Sequence, residues 1–412
     1  MTSPAQSERS GPRTGFALGT LALGAFVMGT AELVIVGILN LIADDIDVSV
    51  GTAGLLVTAY ALGICLGGPL LTAATIKLGR HMLLWSALVV FLVANLLSAV
   101  TAAYAVLLVA RVVSGAVHGL FIGVASVMAA QLVAAGQQGR AVAMVFGGVA
   151  VSTVIGVPLG TLVGQNLGWQ ATFYGIVGIT AVALLATLVL VPRVASTGPT
   201  HLGSQARYAF APRVLGQLSL GLLLMGGQFA AFTYLASYLE DVTGIEGGAV
   251  SAFLLVYGVA SAIGVFGGGR FADSGAARTL VIANVVLAVC LTALYFVGEN
   301  PVLTAVVLAV WGLVGFGLVP SFLLRVITLA GPGGDLAATL GASAVNAGIA
   351  GGAALGGWSV EAHGADSVVV VALVIILVAL PATWAAQRLR PPSDAAPQTP
   401  APDPVAAPST PS

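Results

Sequence analysis

Long apolar runs separated by short polar breaks repeat along almost the whole chain. The runs hold about twenty residues or more, the helical length that crosses a hydrocarbon layer of about 30 Å. They show no strict alternation of polar and apolar positions, which a membrane barrel would require over segments of about ten residues. Backbone groups in hydrocarbon need internal partners, so each run reads as a helix. The pattern predicts helices near 16–42, 52–75, 82–102, 105–133, 141–164 and 170–191, and again near 214–239, 249–269, 279–298, 302–325, 335–358 and 367–387. The expected fold is therefore an all-α membrane protein of twelve transmembrane helices.

The helices fall into two sets of six. A polar stretch from Pro192 to Arg213 lies between them, and a Pro/Ala-rich tail follows Pro391. The organisation expected is an N-terminal cytoplasmic tail at 1–15, a six-helix bundle at 16–191, a cytoplasmic linker at 192–213, a second bundle at 214–388 and a disordered tail at 389–412. The two halves resemble each other at an offset near 200. Gly68 and Gly269 each open a polar loop, and Gly115 and Gly315 hold matching places in the fourth and tenth helices. An internal repeat in a helical membrane protein points to a transporter with its site between two pseudo-symmetric six-helix bundles.

Composition removes the soluble alternatives. Hydrophobic residues make up 58%, charged residues 7%, and mean hydropathy is +1.06. A soluble chain carries about 25% charged residues. The net charge of −1 gives no sign of nucleic acid. Cys65 and Cys290 lie inside apolar runs and read as small hydrophobes, so neither a disulfide nor a metal site is expected.

Placement of charge is more informative than its sum. Thirteen of the fourteen Lys and Arg residues can be put on one side, among them Lys77, Arg80, Arg140, Arg213, Arg270, Arg278, Arg325 and Arg388. The opposite loops hold Asp44, Asp45, Asp47, Glu240, Asp241, Glu246, Glu299, Glu361 and Asp366. Lys/Arg bias marks the cytoplasmic side, which puts both termini and the linker inside. An even helix count independently requires the two termini to share a side.

Two charged residues lie deep in the apolar runs: Glu32 near the middle of the first and Arg111 early in the fourth. A charge there costs a few kcal/mol and normally faces a cavity or the bundle interior. A carboxyl with alternating access to two compartments can couple a proton gradient to transport. Arg111, Gly115 and His118 share one helix face. Arg111 could hold water, a carboxylate or helix carbonyls. His118 could relay a proton or simply donate a hydrogen bond. Gly156, Pro158 and Gly160 form a hinge candidate in the fifth helix, since proline removes one helical bond. Tyr60, Asn95, Gln228, Phe232, Tyr234, Tyr238, Tyr257, Asn284 and Asn346 are candidates to line a cavity, although for each one ordinary packing competes. There is no GxxxxGK[ST] loop, and Gly267, Gly268 and Gly269 do not follow a strand, so no nucleotide or other cofactor is expected. No catalytic cluster argues for an enzyme.

Several of these segments resemble a known family. The run Arg111-Val-Val-Ser114-Gly115-Ala-Val-His118-Gly119 looks like the arginine motif of the major facilitator superfamily. Gly156-Val-Pro158-Leu-Gly160 resembles the antiporter motif of its drug/proton exporters, and Gly269-Arg270-Phe-Ala-Asp273-Ser-Gly275 resembles its loop motif. Gly29-Thr30-Ala-Glu32, with Gly168-Trp169 through Phe173, is similar to the branch of chloramphenicol-resistance exporters and sugar (arabinose-type) efflux permeases. The chain departs from that pattern at Thr72, where many relatives have Asp, and at Asn40, where the branch often has proline.

The resemblance implies proton-coupled efflux of small amphipathic molecules by alternating access, in a bacterial inner membrane, by a monomer. Glu32, Arg111 and His118 would couple protons, and Gly68, Lys77, Arg80, Gly269, Asp273 and Arg278 would belong to loops gating the cytoplasmic side. A facilitator or importer of the same fold is the first alternative. A membrane sensor or scaffold is the second, and the short loops argue against it.

Overall fold

A computed structural model describes residues 12–75, 78–134, 138–193 and 207–392. Lys77, the N-terminal tail, the middle of the linker and the C-terminal tail lie outside the described residues, as does the Asp273 side chain. The twelve spans are α1 (Thr14–Leu33), α2 (Val50–Leu71), α3 (Arg80–Val100), α4 (Tyr104–Gln131), α5 (Ala141–Leu167), α6 (Trp169–Leu190), α7 (Pro212–Asp241), α8 (Gly248–Ala272), α9 (Ser274–Val297), α10 (Pro301–Gly333), α11 (Leu336–His363) and α12 (Ser367–Ala386).

Several of these helices are interrupted where sequence periodicity predicts continuity. α1 ends at Leu33, turns at Val34 and resumes as a short helix, Ile35–Asp45. α7 breaks after Phe232 and resumes at Leu235. α2 and α5 each contain one wide π turn, Gly63–Gly67 and Ser152–Gly156. Pro69 and Pro158 come directly after these turns within helices that run on, and the wide turn is the local adjustment that accommodates a ring with no N–H to donate. Gly68 and Gly269, expected to open polar loops, lie inside helices instead. Polarity there reports exit from the bilayer, which does not require the helix to end.

The repeat is visible in the registers of close helix contacts. A Cβ at Gly148 would lie 2.1 Å from the Ala22 carbonyl oxygen, and one at Gly156 would lie 2.0 Å from Thr30 Oγ1. In the second half, a Cβ at Gly348 or Gly352 would likewise collide with the carbonyl of Leu222 or Gly226. In both halves the paired residues are 126 apart, so α1 packs on α5 as α7 packs on α11. A Cβ at Gly63 would collide with Val112 O, as one at Gly264 would with Leu313 O. Small residues let helix backbones approach closely when lipid supplies no hydrophobic drive to pair them. The molecule is thus two pseudo-symmetric six-helix bundles.

Polar groups finish the helix ends. Ser49 Oγ accepts the Thr52 N–H at 3.0 Å, and Asn300 Oδ1 accepts those of Val302 and Leu303, both at 3.1 Å. Asp45 Oδ2 accepts from Trp169 Nε1 at 2.8 Å and from Gln170 Nε2 at 2.9 Å, pinning the end of the α1 continuation to the start of α6. Trp169 is buried, so Asp45→Ala would leave its N–H unpaired. That loss is expected to cost about 1–2 kcal/mol and to lower the midpoint of thermal unfolding in detergent.

Candidate functional site

The break in α1 creates the site. Glu32 is the penultimate residue before it, and the carbonyls of that last turn need donors. Arg111 supplies them from α4. Its Nη1 donates to Ala31 O at 2.7 Å, Nη2 to Glu32 O at 3.3 Å, and Nε to Leu56 O of α2 at 3.2 Å. The guanidinium also lies over the Tyr60 ring, 4.1 Å from its centre. Arg111 is only 1% exposed, so each of these bonds forms away from water. A cation at a helix C-terminus also meets the favourable end of the helix dipole.

The guanidinium therefore binds backbone, and it does not pair with the Glu32 carboxylate. That carboxylate faces His118 instead, with Oε2 3.6 Å from Nδ1. Tyr60 completes the group. Its hydroxyl is 3.1 Å from His118 Nδ1 and donates to Met28 O at 3.2 Å. Glu32, Arg111, His118 and Tyr60 thus meet in one cluster drawn from α1, α2 and α4. Glu32 is the more accessible end of the acid–imidazole pair, with 18% side-chain exposure against 6% for His118.

Close packing makes the reach possible. A Cβ at Gly115 would sit 2.1 Å from the Tyr60 carbonyl, so α2 and α4 touch beside the cluster. From the other side α5 presses on the break. A Cβ at Gly160 would lie 2.7 Å from Val34 Cγ2, and Pro158 is buried between this contact and Gly156. Gly156→Val would force a branched side chain against Thr30, two residues from Glu32. Overpacking of this kind is expected to cost about 1–3 kcal/mol, again readable as a lower unfolding midpoint.

The second half holds a different chemistry at the corresponding break. Phe232 stacks on Tyr257 with ring centres 4.6 Å apart, and Trp311 meets both edge-on at 6.4 and 5.5 Å. Phe232 stands 200 residues beyond Glu32, and Trp311 is the neighbour of Gly312, which the α8–α10 register sets against Arg111. Trp311 Nε1 also donates to Gln228 Oε1 at 3.3 Å. The ionisable cluster of one half is thus an aromatic cluster in the other.

The remaining candidates separate by what they touch. Asn95 donates to Phe91 O at 2.8 Å and reaches Ser114 at 3.5 Å, inside the first bundle. Tyr238 donates to Leu294 O at 2.7 Å, and Asn284 to Thr383 at 2.9 Å, both inside the second. Asn346 donates to Ala342 O at 3.0 Å, while its Oδ1 is buried without a partner. Tyr234 belongs to the seam between halves, where its hydroxyl donates to Ala353 O at 2.8 Å and occupies the space a side chain at Gly54 would need. Arg80 begins α3, and Arg278 is exposed on α9. Trp311 was not a sequence candidate. It lies next to Gly312, the position that the α8–α10 register sets against Arg111.

The comparisons agree with this architecture. The model of the Major Facilitator Superfamily matches residues 21–343. The chain is 37% identical over 346 residues to the uncharacterized MFS-type transporter YtbD of Bacillus subtilis, covering 83% of this chain and 87% of that one. It is 32% identical over 350 residues to the inner membrane transport protein YdhP of Escherichia coli K12, covering 85% and 90%. It is 34% identical over 336 residues to a chloramphenicol resistance protein of Streptomyces lividans, covering 81% and 86%. Among solved structures, a bacterial homologue of the human lysosomal transporter Spinster superposes with a TM-score of 0.74 at 16% identity, over 92% of this chain and 98% of that one. With its twelve spans, paired bundles and family match across most of its length, this chain is a membrane transporter belonging to the major facilitator superfamily.

Proposed function

We propose that the protein exports small amphipathic molecules from a bacterial cytoplasm in exchange for protons, and that Glu32 carries the proton. The observation that supports this most is the disposition of Arg111. Its guanidinium is engaged by three backbone carbonyls, which leaves the Glu32 carboxylate with a titratable imidazole as its neighbour. A carboxylate locked to an arginine would be a structural ion pair. One beside a histidine, partly accessible and at a helix break, is suited to load and release a proton.

Arg111 then holds the broken end of α1 in place while Glu32 titrates. Gly156, Pro158 and Gly160 keep α5 sealed against the same break as the bundles rock. The end bearing Arg80, Arg213, Arg325 and Arg388 faces the cytoplasm by the Lys/Arg bias, which puts both termini inside. The working unit is a monomer. The aromatic cluster around Phe232, Tyr257 and Trp311 suits the apolar part of a ligand, as pockets of this kind pair apolar walls with a few polar groups. A chloramphenicol-like drug is the first substrate class to try, given the Streptomyces lividans relative. Sugars are the second.

The test uses everted vesicles that hold a proton gradient. Drugs and sugars are added in turn, and loss of the gradient on addition is followed. Dissipation by one compound with the wild type identifies an antiporter and its substrate class. Passage of labelled compound with no effect on the gradient identifies a facilitator instead.

A further inference from the structure

The two bundles meet across one end through carboxylates and neutral donors. Asn40, on the short helix after the α1 break, donates its amide to the Glu240 carboxylate and accepts from Ser237 Oγ at 2.5 Å. Ser237 and Glu240 lie on the equivalent short helix after the α7 break, Leu235–Asp241. Asn40 and Glu240 are 200 residues apart, so the two helix continuations meet at matching positions of the repeat. Nearby, Ser49 donates to Glu361, and Thr52 Oγ1 lies 3.3 Å from the same carboxylate oxygen. On the opposite seam, Ser251 donates to Gln165 at 3.1 Å. Among the described residues no Lys or Arg takes part in these bonds.

We infer that Asn40 is the positioning residue that latches this end of the transporter shut. Both polar atoms of its side chain are used across the interface between halves. Asn40 and Glu240 are both partly exposed, so water can replace these bonds when the end opens. The latch also sits on the segment whose other end is the Glu32 hinge. Arg111 grips the carbonyls of Ala31 and Glu32 on one side of Val34, and Asn40 lies less than two turns beyond on the other. Movement at the break therefore swings Asn40 directly. The inference builds on the transport reading of the Glu32 cluster, but its test reads closure alone and needs neither a substrate nor a gradient.

Leu254 is the reporter position. It is 2% exposed and lies against Gly37 in the seam beside the latch. Leu254→Cys is introduced together with Cys65→Ser and Cys290→Ala, and modification by a membrane-impermeant thiol reagent is timed. In the parent the cysteine should react slowly. Asn40→Asp sets a carboxyl against Glu240 and should raise the rate by about tenfold or more, the effect of losing one or two such bonds. Adding Glu240→Gln restores an amide–carboxylate pair with its direction reversed, and should return the rate toward the parent value. Equal rates in the parent and Asn40→Asp would overturn the inference. So would a fast rate that Glu240→Gln fails to reverse, because general loosening of the fold would not be rescued by the partner change. Should Asn40→Asp fail to accumulate, the comparison is made between Asn40→Ala, expected fast, and the doubly changed Asn40→Asp/Glu240→Gln, expected slow. The opposite order rejects the latch.

Discussion

Replacing Glu32 by glutamine is expected to reduce substrate-driven loss of the proton gradient to the level of vesicles lacking the protein, while the protein still folds and inserts. The substitution keeps the shape and the hydrogen-bonding capacity of the side chain but removes its proton exchange. Arg111 bonds to the backbone of Glu32, not to its carboxylate, so the clamp on the break survives. The neighbouring His118 loses only its charged partner at 3.6 Å. The unfolding midpoint in detergent should therefore change little. Binding or passive exchange of substrate should persist, separating coupling from recognition. If the gradient still collapses on substrate addition, the proton travels by another group and Glu32 serves structure or ligand binding.

Replacing Arg111 by alanine should differ in its effect on folding, with a large loss of stability accompanying the loss of activity. The buried carbonyls of Ala31 and Glu32, at the broken end of α1, would lose their donor, Leu56 O would keep only its helical one, and Tyr60 would lose the cation over its ring. Each unsatisfied buried group costs about 1–3 kcal/mol, and the vacated volume adds to it, so a total of about 3–5 kcal/mol is expected. Arg111→Lys should recover part of this. An ammonium restores the charge but lacks the planar fork that reaches α1 and α2 together. The measurement is thermal unfolding in detergent for the three proteins, with the order wild type, lysine variant, alanine variant. An alanine variant as stable as the wild type would mean that the break in α1 does not depend on the guanidinium.

Both expectations turn on which partner Arg111 takes, and that was not readable from the chain alone. Spacing put Arg111, Gly115 and His118 on one face of α4, and apolar context marked Glu32 and Arg111 as exceptional. Water, a carboxylate and helix carbonyls all remained possible partners. The choice was made by the break at Val34, which has no proline to announce it. Hydrophobic periodicity continues smoothly through residues 16–42, because a broken helix still buries the same face. Of the aromatic cluster, Phe232 and Tyr257 stood among the cavity candidates, but Trp311 and the stacking of the three were hidden. Aromatic residues in apolar runs read as core until coordinates bring them together.

The latch was equally silent. Asn40 stood out only as a departure from a branch that often has proline there, Ser237 and Glu240 read as ordinary polar residues near a helix end, and only folding brings positions 200 apart into contact. Asn95, Tyr238 and Asn284 illustrate the converse. In sequence they resembled cavity residues, and in the structure each serves a helix contact within its own bundle. A polar group in an apolar run must find a partner, but the run does not say which.

The sequence by itself determined the solvent, the helix count, the division into two related halves and the two charges that a bilayer does not tolerate without cause. These follow from local length, composition and repetition, because the cost of exposing polar backbone to hydrocarbon acts on each segment separately. Tertiary structure alone decided where the helices break, that Arg111 holds carbonyls while Glu32 faces His118, and that two short helices close one end. Those outcomes depend on contacts between segments far apart in the chain, where glycine-sized gaps and freed carbonyls select partners that no local pattern encodes.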